Sequence, residues 1–316
     1  MYGLYIKYMK SRNLKIFLMS SLIFISLSTF VFHYYNKTIE GFLDTKYEKT
    51  IYLVWRNKIN TETGYGIGDR VRGALCLYQY CKENNINLKI DATDDKCGDY
   101  LKNIKSDDYN LIKDKKLILL LWHSKYSEEI KKTLDDELVK NNTIFVFSNY
   151  YTQKELDSDD KKFAKYICQP NNALKLEIDD KVNKLPKDFG IQHFRFKDEV
   201  FDKDLNENNP LFQKSFELLK NSFKNTDVLM SNSNNLKKYA KEKLKIKTID
   251  CDDELCKIAH SGGNDESVKN TLIEFSIISK AKYIKSYTCY DWESNFVKWP
   301  SKIYDIPFEN VFLNEN

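Results

Sequence analysis

Phe189-Gly190-Ile191-Gln192-His193-Phe194-Arg195-Phe196-Lys197-Asp198-Glu199 begins apolar behind Pro186 and ends in charge. Its first half has the pattern of a buried strand, which delivers His193 and Arg195 at its carboxyl end. In open α/β sheets ligands bind just beyond those strand ends. Arginine stays charged at any working pH, and its planar fork matches two phosphate oxygens. Arg195 is therefore a candidate phosphate clamp. The alternative is a strand-end arginine paired with Asp198 or Glu199.

On either side of this stretch, strand and helix patterns alternate. Downstream, helices are expected over 210–223, 234–244 and 266–279, with strands at 227–230, 246–249 and 282–286 and a short turn near 290–297. Upstream, Thr50–Trp55 reads as a first strand and Asp69 to about Asn84 as an amphipathic helix. On that helix Val71, Ala74, Leu75, Tyr78 and Cys81 share a face at 3.6-residue spacing. Strands at 86–90, 116–122 and 143–147 and helices near 127–139, 159–166 and 173–184 complete this half. Alternation of this kind implies parallel βαβ units. The expected fold class is α/β, with two Rossmann-like domains facing a cleft, residues 50–186 and 187–316, divided at Leu185-Pro186.

The chain has 316 residues, of which 42% are hydrophobic and 14% aromatic, enough for two cored domains. Fifty basic against 46 acidic residues leave a net charge of +4, too balanced for a nucleic-acid partner. The first residues differ in character. Ile16 to Phe32 carries no charge, proline or glycine, and residues 14–35 as a helix span roughly 30 Å, about one hydrocarbon core. Lys7, Lys10, Arg12 and Lys15 precede it, which by the positive-inside rule keeps residues 1–13 cytosolic. The expectation is a single-pass type II membrane protein: anchor 14–35 in the bilayer, stem 36–49, and the remainder luminal (ER/Golgi) or extracytoplasmic. A cleaved signal peptide is the rival. Asn36 and Asn141 begin Asn-x-Thr sequons and would then be glycan acceptors. All seven cysteines (76, 81, 97, 168, 251, 256 and 289) follow the anchor, without zinc spacing. An oxidising lumen would allow three disulfides, while Cys76 and Cys81 also suit buried thiols.

Four constellations bear on chemistry. Gly64-x-Gly66-x-Gly68-Asp69-Arg70 opens a helix, where glycine admits a close ligand and the helix N-terminus favours anions. Asp69 there is either functional or the helix cap. The second is His193-x-Arg195 with Asp198. The third, Ser231-Asn232-Ser233-Asn234, either holds a ribose or base or caps the next helix. The fourth runs from Ser286-Tyr287-Thr288 to Ser294-Asn295-Phe296, where hydroxyls and N–H groups suit phosphate beside an aromatic ring. Asp-x-Asp at 157/159, 202/204 and 250/252 is no more than an Asp-rich chain gives by chance, and His123 and His260 are isolated, so no metal is expected.

In this order the motifs resemble the fucosyltransferase superfamily of nodulation and core α1,6-fucosyltransferases and protein O-fucosyltransferases, over roughly residues 50–305. Gly66-Ile67-Gly68-Asp69-Arg70 is similar to its glycine loop, and His193-Phe194-Arg195 with Asp198 to its His-x-Arg-Arg-x-Asp signature. Met230-Ser231-Asn232-Ser233 stands where the family has Ala-Thr-Asp-Ser, and Ser294-Asn295-Phe296 where it has Ser-Ser-Phe-Ser. The resemblance implies a GT-B fold and an inverting, metal-independent glycosyltransferase. Its donor would be a GDP-sugar, GDP-fucose first, with no cofactor, and its acceptor a glycan or protein hydroxyl. It assigns Arg195 to the β-phosphate; no base is obvious, Asp69 being nearest by analogy, with Asp91 or Asp198 as weaker candidates. It assigns Gly66, Gly68, Arg70, His193, Asp198, Ser231, Ser233, Ser294 and Phe296 to the donor. Phe196 replaces the second arginine, Asn232 replaces an aspartate, and the last serine is missing. These departures leave open another nucleotide sugar, or a catalytically inactive GT-B-like sugar- or nucleotide-binding membrane protein.

Overall fold

The computed structural model describes residues 47–313 apart from 57, 60, 61, 64, 122–127, 153, 202 and 250–264. The expected tail, anchor and nearly all of the stem lie outside the described residues, as do Gly64, Asn36, His123, His260, Cys251 and Cys256. Among the described residues no helix is long and apolar enough to cross a membrane.

Two parallel sheets carry the chain from Tyr47 onward. The first comprises β1 (Thr50–Val54), β2 (Asn87–Asp91), β3 (Ile118–Leu120) and β4 (Thr143–Ser148), in the order β2-β1-β4-β3. The second comprises β5 (Ile191–Arg195), β6 (Val228–Ser231), β7 (Lys247–Thr248), β8 (Ile284–Thr288) and β9 (Phe308–Phe312), in the order β9-β8-β5-β6-β7. All pairings within both sheets are parallel. The longer helices are α1 (Ile67–Asn84), α2 (Glu128–Lys140), α3 (Ser158–Ile167), α4 (Asn172–Asn183), α5 (Pro210–Ser222), α6 (Asn234–Leu244), α7 (Asp265–Ile278) and α8 (Asn295–Tyr304), with a single helical turn at Tyr109–Ile112. The proline expected to divide the chain falls between β4 and β5.

Central parallel strands are covered on both faces, so they read as unbroken apolar runs rather than alternating ones. All five residues of β5 are buried, and so are the last four of β1. In the second sheet Phe194 stacks on Tyr287 with ring centroids 4.3 Å apart. Phe196, Phe212, Leu219, Leu229 and Leu236 complete that core, each contributing about 1.5–3 kcal/mol on burial. Phe196, which stands at the signature's second arginine, is thus a core side chain.

Helix α1 is buried along most of its length, polar residues included. A Cβ added to Gly73 would stand 1.7 Å from the Ser148 carbonyl oxygen, so α1 lies directly on the end of β4. Its other side receives α8, which crosses from the second sheet to pack on α1 and α3. Lys161 pairs with Asp305, Lys302 with Glu155 at 3.2 Å, and Lys165 lies over the Tyr304 ring. The short turn expected at 290–297 is instead followed by this ten-residue helix and by β9. Pro300 inside α8 is the reason, since proline at that position reads as a helix end. Cys76, Cys81, Cys97 and Cys168 are free thiols, and burial pushes Cys76 up to about 12.

Candidate functional site

The carboxyl ends of β5 and β8 lie side by side, and the loop after β8 leads into α8, whose N-terminus touches that of α1. In register, Ser286 lies beside His193 and Thr288 beside Arg195. His193 is 3% exposed, and its Nδ1 is 3.1 Å from the Ser286 hydroxyl. Burial, and secondarily the Arg195 charge, holds its imidazole down to about 3, so the ring is neutral at working pH. The ring tilts toward Phe296, with centroids 6.2 Å apart.

Arg195 closes β5 with a largely buried guanidinium. One terminal nitrogen donates to the Phe196 carbonyl at 2.9 Å, and the other to the Asp198 carboxylate. The guanidinium also lies over the Tyr290 ring, 5.4 Å from its centroid. Burial first, with Asp198 also contributing, pushes the Tyr290 hydroxyl up to about 12, so it stays protonated. Arg195 thus pairs with Asp198, the alternative that the sequence left open, and does so at a strand's carboxyl end.

Helices α3, α4, α5 and α6 each receive a side-chain cap, from Asp157, Asn171, Asn209 and Ser233. Helices α1 and α8 do not: Gly66 and Ser294 occupy their N-cap positions without a capping side-chain bond. Orphan N–H groups at such ends attract anions. The two ends touch. A Cβ on Gly68 would sit 2.6 Å from the Asn295 carbonyl oxygen and 3.0 Å from the Phe296 nitrogen. Only glycine fits there, which gives the second glycine of the loop a packing reason.

Asp69 lies in the first turn of α1, three residues past the cap, so the cap reading does not hold. Its Oδ1 accepts from the Asn295 amide at 2.9 Å and pairs with Arg72 at 3.1 Å. Arg72 is itself buried, donates to the Asn149 carbonyl and lies 4.0 Å from the centre of the Tyr151 ring. Both contacts of Asp69 fall on that one oxygen, and the side chain keeps 19% of its exposure.

Other expected residues are placed differently. Arg70 points away into the first half. It pairs with buried Asp95 and donates to the Tyr65 and Arg56 carbonyls. Ser233 accepts from Leu236 N–H and donates to Asp204 at 2.6 Å, while Ser231 accepts from Ser233 N–H. Both therefore act in the turn and cap leading into α6. Asn232 accepts from the Phe196 N–H at 2.8 Å and donates to its carbonyl at 3.0 Å, tying β6 to the end of β5. Asp91 is buried beside Thr93 at the end of β2. Asn141 is exposed just after α2. Among the described residues no cluster of His, Cys, Asp and Glu has the makings of a metal site.

Tyr290, Arg72, Asp95 and the bridging role of Asn295 were not picked out from the sequence. Tyr290 lies between the two ends of the fourth constellation with no pattern of its own, and Asp95 sits in a loop with several equivalent acids, so neither carried a distinguishing signal.

No protein-family model matches the sequence, and no curated protein matches it. Solved structures do. NodZ alpha-1,6-fucosyltransferase soaked with GDP-fucose aligns at a TM-score of 0.50 and 11% identity, covering 81% of this chain and 93% of that one. The fucosyltransferase NodZ from Bradyrhizobium aligns at 0.50 and 10% identity, with 81% and 93% covered. POFUT1 in complex with GDP aligns at 0.48 and 11% identity, with 84% and 98% covered. The likeness to NodZ is one of fold, and the chain has a fucosyltransferase-like GT-B fold.

Proposed function

We propose that this chain is a membrane-anchored glycosyltransferase that moves a sugar, fucose first among candidates, from a GDP-sugar to a glycan or protein hydroxyl. The reading is carried by one arrangement. A buried arginine at the carboxyl end of β5 lies over Tyr290, in the loop that leads into α8, and the N-termini of α8 and α1, both without side-chain caps, touch each other. The solved relative soaked with GDP-fucose supports the choice of donor.

The chemistry follows from charge. The acceptor oxygen bonds to the anomeric carbon from the side opposite the leaving group, and the bond from that carbon to the β-phosphate oxygen breaks, inverting the centre. The electron pair leaves with the nucleoside diphosphate. Arg195 and the N–H groups opening α8 neutralise that growing charge, help of the kind worth about 3–4 kcal/mol per donor. Asp69 takes the acceptor proton on the oxygen that Asn295 and Arg72 leave open. Neutral His193 adds no charge and orients the end of β5. The resemblance calls for no metal, and the donor diphosphate is bound by the protein's own cationic and N–H groups.

Transfer from radiolabelled GDP-fucose to a mixed glycoprotein acceptor, by the full chain, tests this. Arg195→Ala is expected to lose at least about a hundredfold in rate. Equal rates would overturn the reading.

A second reading, nucleotide binding without transfer, is favoured by Asn232. Both ends of its amide are held by the Phe196 backbone. Donor binding without turnover would separate the two.

A further inference from the structure

Beyond Arg195 the site continues as a ladder of flat groups. The guanidinium covers one part of Tyr290, and Tyr290 stacks on Trp292 with centroids 4.7 Å apart and planes 27° from parallel. Trp292 is 53% exposed. Leu111, Val139, Leu176 and, on β9, Phe312 are exposed large apolar side chains as well, but only Trp292 stacks on the ring that Arg195 covers. An indole half in water gains little from folding, since the stabilising burial is forgone.

The loop that carries it is fixed at both ends. Cys289 N–H donates to the Arg195 carbonyl and Tyr290 N–H to the Thr288 hydroxyl, while Ser294 begins α8. The indole is therefore presented by the ends of β5, β8 and α8 together. On either side of it in the chain stand carboxylates. Asp291 is exposed, and Glu293 pairs with Lys298 at 2.6 Å.

An exposed ring flanked by carboxylates has a distinct chemistry. One face of a pyranose presents C–H groups, which rest on an aromatic face, and its edge presents hydroxyls, which donate to carboxylates. A nucleobase also stacks on indole. A nucleotide stacked on the indole would bring its charge beside exposed Asp291, whereas a neutral sugar's hydroxyls can donate to it, and Glu293 is already engaged by Lys298.

We propose that Trp292, backed by Tyr290, is the platform on which the acceptor sugar lies, and that the acceptor is a neutral oligosaccharide. The word acceptor rests on the transferase reading above, whereas the sugar stacking does not.

The test uses the full chain and its Trp292→Ala and Trp292→Phe variants. Each is titrated with cello-, chito- and manno-oligosaccharides and their sulfated counterparts, and separately with GDP by thermal shift. Half exposure at Trp292 makes its truncation cheap for the fold. Wild type should bind at least one neutral series, Trp292→Ala about tenfold more weakly and Trp292→Phe within about threefold. The GDP shift should be the same in all three. Oligosaccharide binding unchanged in Trp292→Ala, or absent in wild type, overturns the proposal. Loss of the GDP shift in Trp292→Ala also overturns it, and assigns the ring to the nucleobase. If GDP stabilises none of the proteins while sugar binding still depends on Trp292, the platform stands and the transferase reading falls.

Discussion

Arg70 and Arg195 were both marked as donor residues by their motifs, yet their surroundings differ. Arg70 is 5% exposed and its partner Asp95 1%, with the Tyr65 and Arg56 carbonyls filling further donor sites. Arg195 is 10% exposed, but its partner Asp198 is 61% exposed. A pair buried on both sides holds the loops after β1 and β2 together and has no room for a third charge. A pair whose anion stands in water can exchange that anion for a phosphate. The lesson is that an arginine's role is read from the burial of its partner, not from its own.

The largest effect that would break this comparison is at Asp95. Asp95→Ala leaves the Arg70 cation buried without its carboxylate, and stability should fall by about 3–5 kcal/mol in a denaturant titration. Asp198→Ala should cost about 1 kcal/mol or less, because its pair is half in solvent. Comparable losses would show that the two arginines are alike.

Next in size is Gly68→Ala, which drives a methyl into the Asn295 backbone, where no flexible side chain can yield. A loss of about 1–3 kcal/mol is expected, with transfer activity falling as α1 and α8 move apart. Unchanged stability and activity would mean that this contact does not fix the site.

A third effect shows only in acid, the pH response of His193. Its ring is held at about 3 against 6.5 in the open chain. The unfolded chain therefore takes up a proton below about pH 6.5 that the folded one refuses, and stability falls as pH drops from there toward 3. At most a few kcal/mol is involved, on the order set by linkage. His193→Asn should flatten the melting temperature over pH 7 to 4. An equally steep decline in the variant would assign the loss to other groups.

Much of this fold was legible because buried parallel strands are unmistakably apolar. Residues 50–54, 143–147 and 234–244 were placed to within a residue. Helix α8 was not, because Pro300 reads as a break while the packing of Val297, Trp299 and Ile303 overrides it. At the site, Arg195, His193, Gly68 and the 294–296 segment could be gathered because each ends a strand or opens a helix. The separation of Arg70 from them could not, since it depends on Asp95, 25 positions along the chain and chemically identical to its neighbours Asp94 and Asp91. Ser231 and Ser233 show the converse: the local capping chemistry that the sequence already offered is what they do.

The most direct test of the central claim is the melting temperature of the full chain with GDP, UDP or CDP, without added metal. A ligand at a hundred times its Kd stabilises by about 2.7 kcal/mol, which reads as a shift of a few degrees for a protein of this size. The account predicts that GDP gives this shift, that Arg195→Ala abolishes it, and that UDP and CDP give less. No shift with any nucleotide, or an undiminished shift in Arg195→Ala, would contradict it.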